Sequence, residues 1–169
     1  MSADIEWVRS NPEEFRRKLQ DPKLFGGPVR KFLTSAALII QGWARQLAPK
    51  DRGHLAQSVT YEVDSSPLPV WAKIGTNQGM KALAMEYGTG SLSDNPAKVA
   101  GWQFPTGPEL ETWARRHGFD SGATVAAIIR KRGGLAPRAY LRNAMKQGEP
   151  KIRSLLRTLA RDIQQAWSK

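Results

Sequence analysis

Asp51, His54 and Ser58 are the residue types of a hydrolytic triad, an acid, an imidazole and a hydroxyl held close together in sequence. A working triad draws its groups from separate elements and presents its serine on a strained turn. The stretch Ala48-Pro49-Lys50-Asp51-Arg52-Gly53-His54-Leu55-Ala56-Gln57-Ser58 contains no Gly-x-Ser-x-Gly turn. It reads instead as the place where a helix stops and a strand begins. Pro49 has no N–H and cannot continue a helix. Asp51 can accept a bond from a backbone N–H two residues on, and Gly53 can take a positive φ. Glu86, next to Tyr87, has the chemistry of a general base, but no partner acid is indicated. A buried or cap-forming carboxylate paired with an arginine is the better reading of Glu86. Gly88-Thr89-Gly90 lacks the lysine of a phosphate loop and the spacing of a dinucleotide loop. There is no cysteine, and His54 and His117 are the only histidines, which excludes thiolate and multi-histidine metal sites. The expectation is no catalytic group, no cofactor and no metal.

Charge is the more informative chemistry. The 169 residues include 26 basic and 15 acidic ones, a formal net charge of +11. Residues 1–108 carry 13 basic and 10 acidic residues, whereas residues 109–169 carry 13 and 5. A chain so biased favours polyanions or acidic protein surfaces. Two groups of basic residues are candidates for facing a polyanion. Arg130-Lys131-Arg132 close one helix, and Arg153, Arg157 and Arg161 form a row at four-residue spacing on another. The Arg16-Arg17-Lys18 run reads as a solvated face.

The elements that must position these groups follow from periodicity and caps. Asn11-Pro12-Glu13-Glu14 opens a short helix to about Gln20, closed by Asp21-Pro22. Gly26-Gly27-Pro28 reads as a break, with Pro28 opening a long amphipathic helix. Its stripe of Val29, Leu33, Ala36, Ile40, Trp43 and Leu47, widened by Phe32, Ile39 and Ala44, suits a helix covered on more than one side. Leu55–Val63 and Val70–Gly75 alternate as strands around an Asp64–Pro67 turn, an antiparallel hairpin. Lys81–Tyr87 suits a helical turn or a buried strand. Residues 91–107 read as a long loop, of a length that in a compact domain is usually functional or mobile. A helical insert, 108–133, has Ser121 as the cap of its second helix. Pro137–Met145 is a short helix or extended-to-helix segment, and Gly148-Glu149-Pro150 leads into a final helix with a stripe from Ile152 to Trp167.

Helices, then strands, then helices give an α+β fold: a small antiparallel sheet packed on the long helix and the C-terminal helix, with the insert added. Residues 1–25 form an N-terminal helical extension and 26–169 a single domain. No run is long and apolar enough for a membrane span, and the acidic N-terminus lacks the apolar core of a secretory signal. A soluble protein of a reducing cytosol is expected. The 108–133 helices have the length of a helix-turn-helix, which makes a sequence-preferring DNA-binding regulator the alternative. The start of the second helix, Ala123-Thr124-Val125-Ala126, offers no base-reading side chains.

Three separated motifs occur in order: Ala48-Pro49-x-Asp51-x-Gly53-x-Leu55-x-x-Ser58, then Met85-Glu86-Tyr87-Gly88-Thr89, then Pro137-Arg138-Ala139-Tyr140-Leu141-Arg142-Asn143-Ala144. Together they resemble the small tail-component, or neck and tail-completion, proteins of long-tailed lambdoid-type phages, over roughly Pro28 to Trp167. The chain departs from that pattern at Arg52, where the family usually has Thr, and at Arg138-Ala139-Tyr140, where it has Arg-Pro-Phe. The 108–133 insert resembles a variant found in phage virion-morphogenesis proteins. The resemblance implies a non-enzymatic structural part of the virion at the head–tail junction. It implies a homo-oligomeric ring, a hexamer or dodecamer, around a channel through which genomic DNA passes. Neighbours would be a head-closure or connector protein and a tail terminator or tail tube protein. The place would be the virion neck or tail, and the host cytoplasm before assembly, with no membrane involved. Pro49, Asp51, Gly53, Leu55, Ser58, Glu86, Tyr87, Gly88, Thr89, Pro137, Arg138 and Tyr140 would then define the fold rather than perform chemistry.

Overall fold

A computed structural model of the chain describes residues 13, 16–17, 21–64, 70–90 and 105–167. Along them run α1 (Pro22–Leu47), α2 (His54–Ser58), β1 (Val59–Val63), β2 (Ala72–Thr76), α3 (Gly79–Tyr87), α4 (Gly107–Arg116), α5 (Gly122–Lys131) and α6 (Tyr140–Trp167). The fold is α+β, mostly helical, with one antiparallel two-stranded sheet among the described residues. Of the helix expected over residues 11–20, Glu13, Arg16 and Arg17 are described, and they are helical. Most of the 1–25 extension, most of the 91–107 loop and most of the Asp64–Pro67 turn lie outside the described residues.

Four sequence expectations change. First, Gly26-Gly27-Pro28 does not break the helix, because α1 starts at Pro22 and runs through all three. Two glycines cost a helix about 1 kcal/mol each and one interior proline about 3 kcal/mol, through its missing N–H and the clash of its ring with the preceding turn, losses that packing can offset. Gly26 is itself buried. Second, α6 is continuous across Gly148-Glu149-Pro150, so the short helix at Pro137–Met145 and the final helix are one. Gly148 lets α6 pack closely on α1: a Cβ added to it would lie 3.2 Å from Ile39 Cγ2. Pro150 lies on the exposed side of α6, where water can take the carbonyl that its missing N–H leaves free. Third, the strand expected from Leu55 begins only at Val59, and His54–Ser58 is a helical turn. Fourth, the ambiguous Lys81–Tyr87 is helix.

The chain divides into two compact units, one of Met1–Gly42, Thr60–Gly75 and Gln147–Lys169, the other of Trp43–Val59 and Thr76–Lys146. In the first unit α1 and α6 run antiparallel. Gly148 faces Ile39 and Ile40, and Lys31 Nζ lies 3.7 Å from Asp162 Oδ2. Ala36, Ala37, Ile40 and Gln41 are the buried face of α1 in this unit. The hairpin carries an alternating strand at Thr60–Val63, and the Asp64 N–H donates to Trp71 O at 2.9 Å. In the second unit Ala44, Ala48, Leu55, Val59, Ala82, Ala84, Ala114, Val125, Ala126, Tyr140 and Ala144 form the apolar core. Fully burying a side chain such as Leu55 or Val59 contributes about 2 kcal/mol.

The second unit also holds the helical insert. Pro108 occupies the first turn of α4, and the Glu109 carboxylate accepts from the Thr106 N–H at 2.6 Å and its hydroxyl at 2.9 Å, one half of a capping box. Ser121 caps α5, as its sequence position indicates, by accepting from the Thr124 N–H at 3.2 Å. Glu111 of α4 reaches across to accept from the Gly122 N–H at 2.7 Å. Only glycine fits at position 122, because a Cβ there would run into Gly107 O and lie 2.6 Å from Glu111 N.

Candidate functional site

All three motif segments fall in the second unit. The first occupies the exit of α1. The Ala48 N–H still reaches Ala44 O at 2.9 Å, and Pro49 then ends the ladder. Gly53 takes φ 76° at the start of α2, and its carbonyl accepts from the Gln57 N–H at 2.9 Å. Leu55 is buried. Ser58 Oγ donates to Leu55 O at 2.9 Å, which uses its only proton. The 2.5 Å contact between Ser58 Oγ and Thr76 Oγ1 therefore has Thr76 as donor. Thr76 Oγ1 in turn accepts from the Gln78 N–H at 3.1 Å. These bonds make Ser58 a tie between the entry of β1 and the exit of β2. Arg45 adds a second tie, donating from Nε and Nη2 to Val59 O at 3.2 and 2.9 Å.

Asp51 bonds a partner that the local turn pattern does not indicate. Its carboxylate accepts from Arg116 Nη1 at 2.9 Å and Nη2 at 3.1 Å, a forked pair between residues 65 apart in sequence. His117 Nε2 lies 3.8 Å from Asp51 Oδ1. The His117 ring stacks on Trp113 at 4.1 Å, and Nδ1 lies 2.8 Å from Trp113 O. A carbonyl only accepts, so Nδ1 carries the proton. Asp51 and Ser58 are thus bonded away from each other, and His54 is exposed. The Arg116 hydrogen bond, with nearby positive charge, holds the Asp51 carboxyl below its ordinary range. A lowered pKa stabilises the fold above the usual aspartate range and ceases to do so as pH falls through the lowered value. Asp51→Asn is accordingly expected to melt below the wild type at pH 7. The two melting temperatures should converge in acid, where a protonated Asp51 already resembles asparagine; thermal unfolding across the carboxylate range measures this.

The second and third motifs interlock. Glu86, at the end of α3, is buried, and its two oxygens accept from the Leu141 N–H at 2.8 Å and the Arg142 N–H at 3.2 Å. A helix leaves its first N–H groups without intrahelical partners, and its N-terminus favours negative charge. Glu86 supplies both acceptor and charge to α6 from a distant element. The Arg142 guanidinium lies 3.6 Å from Glu86 Oε1 and 5.4 Å over the Tyr87 ring. The backbone joins the same regions, with Arg138 N–H donating to Met85 O at 2.8 Å and Ala139 N–H to Glu86 O at 3.2 Å. Thr89, fully buried, accepts from the Leu135 N–H at 2.7 Å through Oγ1 and donates its own N–H to Leu135 O at 2.9 Å. Gly88 and Gly134 sit where Cβ atoms would meet backbone: Leu135 O at 2.6 Å for Gly88, and Thr89 O at 2.5 Å for Gly134. Pro137 and Arg138 belong to the extended stretch that leads from this clamp into α6, and both are exposed.

Tyr140 opens α6 and is fully buried, yet its hydroxyl has no hydrogen-bond partner among the described residues. Burial, and then the charge of Glu86, push its pKa up to about 12. A raised pKa stabilises the fold below the ordinary value of 10.0 and is lost as pH climbs towards about 12. Tyr140→Phe is expected to be neutral or up to about 1 kcal/mol more stable at pH 7, since it removes an unpaired buried hydroxyl. Between pH 10 and about 12 the wild type should lose about 1.4 kcal/mol per pH unit that the variant keeps. Urea unfolding at neutral and alkaline pH compares the two.

The basic groups lie in different units. Arg130, Lys131 and Arg132 are exposed at the end of α5 in the second, where positive charge complements the helix dipole. Arg153, Arg157 and Arg161 are exposed on α6 in the first. The start of α5 does not present a reading head: its exposed side chains are Ala123 and Thr124, and Gly122 is packed against α4.

Among the described residues no group of three or more His, Asp and Glu side chains could hold a metal ion, and no helix is long and apolar enough to cross a membrane. A shallow open depression is lined by Arg45, Ala56 and Gln57, with the Arg45 head engaged on Val59 O. The partners that sequence reading missed are Arg116, Thr76, Leu135 and Gly134. The glycine pair at 133–134 marks the end of α5 in the sequence, but nothing local to it indicates the close approach of Gly134 to Thr89. No family model matches the chain, and neither a curated protein nor a solved structure matches it.

Proposed function

We propose that this chain is a structural protein of the head–tail junction of a long-tailed phage or prophage-like particle. It completes the neck or the head-proximal end of the tail as a homo-oligomeric ring around the DNA channel. The observation that carries the reading is the use made of the motif residues. Glu86, Gly88 and Thr89 are spent on holding the entry of α6, and Ser58 is spent on joining β1 to β2. Their polar atoms are committed to backbone and neighbouring hydroxyls, as fits a rigid building block. The order of the three motifs and the positive net charge of +11 support the same reading.

Cryo-electron microscopy of particles that carry the gene tests it. The expected result is a ring of this chain between portal and tail tube, and its absence from the neck and tail of mature virions would overturn the proposal. Disrupting the gene is expected to leave filled heads and separate tails.

A further inference from the structure

The stretch of α6 in the first unit has two sharply different sides. Gly148 faces Ile39 and Ile40 of α1, and Asp162 is paired with Lys31. With successive residues about 100° apart around the axis, Arg153, Arg157 and Arg161 fall within roughly 40° of the direction opposite Gly148. All three are exposed. Their four-residue spacing places them about 6 Å apart along the axis. Little negative charge offsets them. Glu149 pairs with Arg153 at 2.6 Å, and Asp162 is taken by Lys31. Among the described residues, Arg161 Nη2 reaches the neutral Thr158 hydroxyl, at 3.4 Å. Ser154, Ala160 and Gln164, neutral and exposed, lie among the arginines, and Leu156 at the margin of the row is 47% exposed.

We infer that this face of α6 binds the phosphate backbone of duplex DNA, through Arg157 and Arg161, with Arg153 exchanging Glu149 for a third phosphate. The inference deepens the DNA-channel part of the proposed function and rests on it for its setting. A guanidinium stays charged at every physiological pH, and its fork matches phosphate oxygens. A row of guanidinium groups about 6 Å apart along the axis, fanned over roughly 80° of the helix surface, suits a linear, evenly charged polyanion. A protein carboxylate instead engages one arginine locally, as Asp51 engages Arg116. Contacts of this kind position a duplex without reading its sequence.

The test is binding of the full-length protein to a random-sequence duplex as a function of salt. Each phosphate contact contributes about 0.9 to the slope of log K against log salt. Arg157→Gln with Arg161→Gln is expected to flatten that slope by about 2, so that a fourfold rise in salt costs roughly tenfold less affinity than in the wild type. Arg157→Lys with Arg161→Lys should retain the slope, and circular dichroism melting should be unchanged in both. An unchanged slope in the glutamine variant overturns the inference. So does a slope flattened only by Arg130→Gln with Lys131→Gln, which moves the contact to the end of α5. Equal competition by poly-glutamate overturns it in favour of an acidic protein, and tighter binding of single-stranded RNA removes the duplex assignment. Particle composition is read separately. A chain missing from virions removes the proposed function and leaves the DNA slope standing, whereas an unchanged slope in a chain present in necks removes only this contact.

Discussion

Glu86→Ala is expected to cost about 3–4 kcal/mol, enough to consume a large part of the stability of a domain this size. Three effects act together. The Leu141 and Arg142 N–H groups, both part-buried, lose their acceptor, and removing one partner of a buried hydrogen bond costs about 1–3 kcal/mol. The N-terminus of a 28-residue helix loses its negative charge. The Arg142 guanidinium loses the partner 3.6 Å away. Glu86→Gln keeps the shape and one acceptor oxygen, so a smaller loss of about 2 kcal/mol is expected. Urea unfolding gives both values. Hydrogen exchange at Leu141 and Arg142 should accelerate more than at amides in the middle of α6. A Glu86→Ala protein as stable as wild type would show that the carboxylate does not anchor α6.

Gly88→Ala is expected to be as damaging, about 4 kcal/mol or more, for a different reason. Gly88 takes φ 72° and ψ −174°, a region open essentially to glycine alone. The strain of placing alanine there is about 1–3 kcal/mol. The new Cβ would also lie 2.6 Å from Leu135 O and 2.8 Å from Pro137 N. Both are backbone, and Leu135 is held by two bonds to Thr89. The clash can be relieved only by breaking the clamp. Gly118→Ala separates the two costs, because Gly118 has φ 75° but nothing within 4 Å of an added Cβ. It should lose about 1 kcal/mol, the conformational part alone. Comparing the denaturant midpoints of the two variants measures the steric part, and equal midpoints would show that the close approach to Leu135 carries no energy.

Much of the local architecture was legible in the chain. The stripe from Val29 to Leu47 marks an amphipathic helix, Pro49 marks its end, and Ser121 marks the start of α5, because periodicity and caps act within a turn or two. Gly53 was legible for the same reason: a turn there needs a positive φ, and glycine supplies it. Local reading failed where tertiary packing outweighs propensity. Pro28 and Pro150 look like breaks, yet α1 and α6 pass through them, since buried faces on the same helices offset one missing hydrogen bond each.

The sequence by itself determined the α+β class, the long helix, the insert with its cap and the uneven charge. It also marked the three motifs as distinct from their surroundings. Only the tertiary structure decided what those motifs do for one another. Glu86 meets the N–H groups of residues 55 and 56 positions on, Asp51 meets Arg116 65 positions on, and Gly134 packs on Thr89. The spacing of residues along a chain sets which face of an element they share. Which distant N–H, guanidinium or carbonyl comes within hydrogen-bond reach depends on how the chain returns upon itself, and no local pattern contains that information.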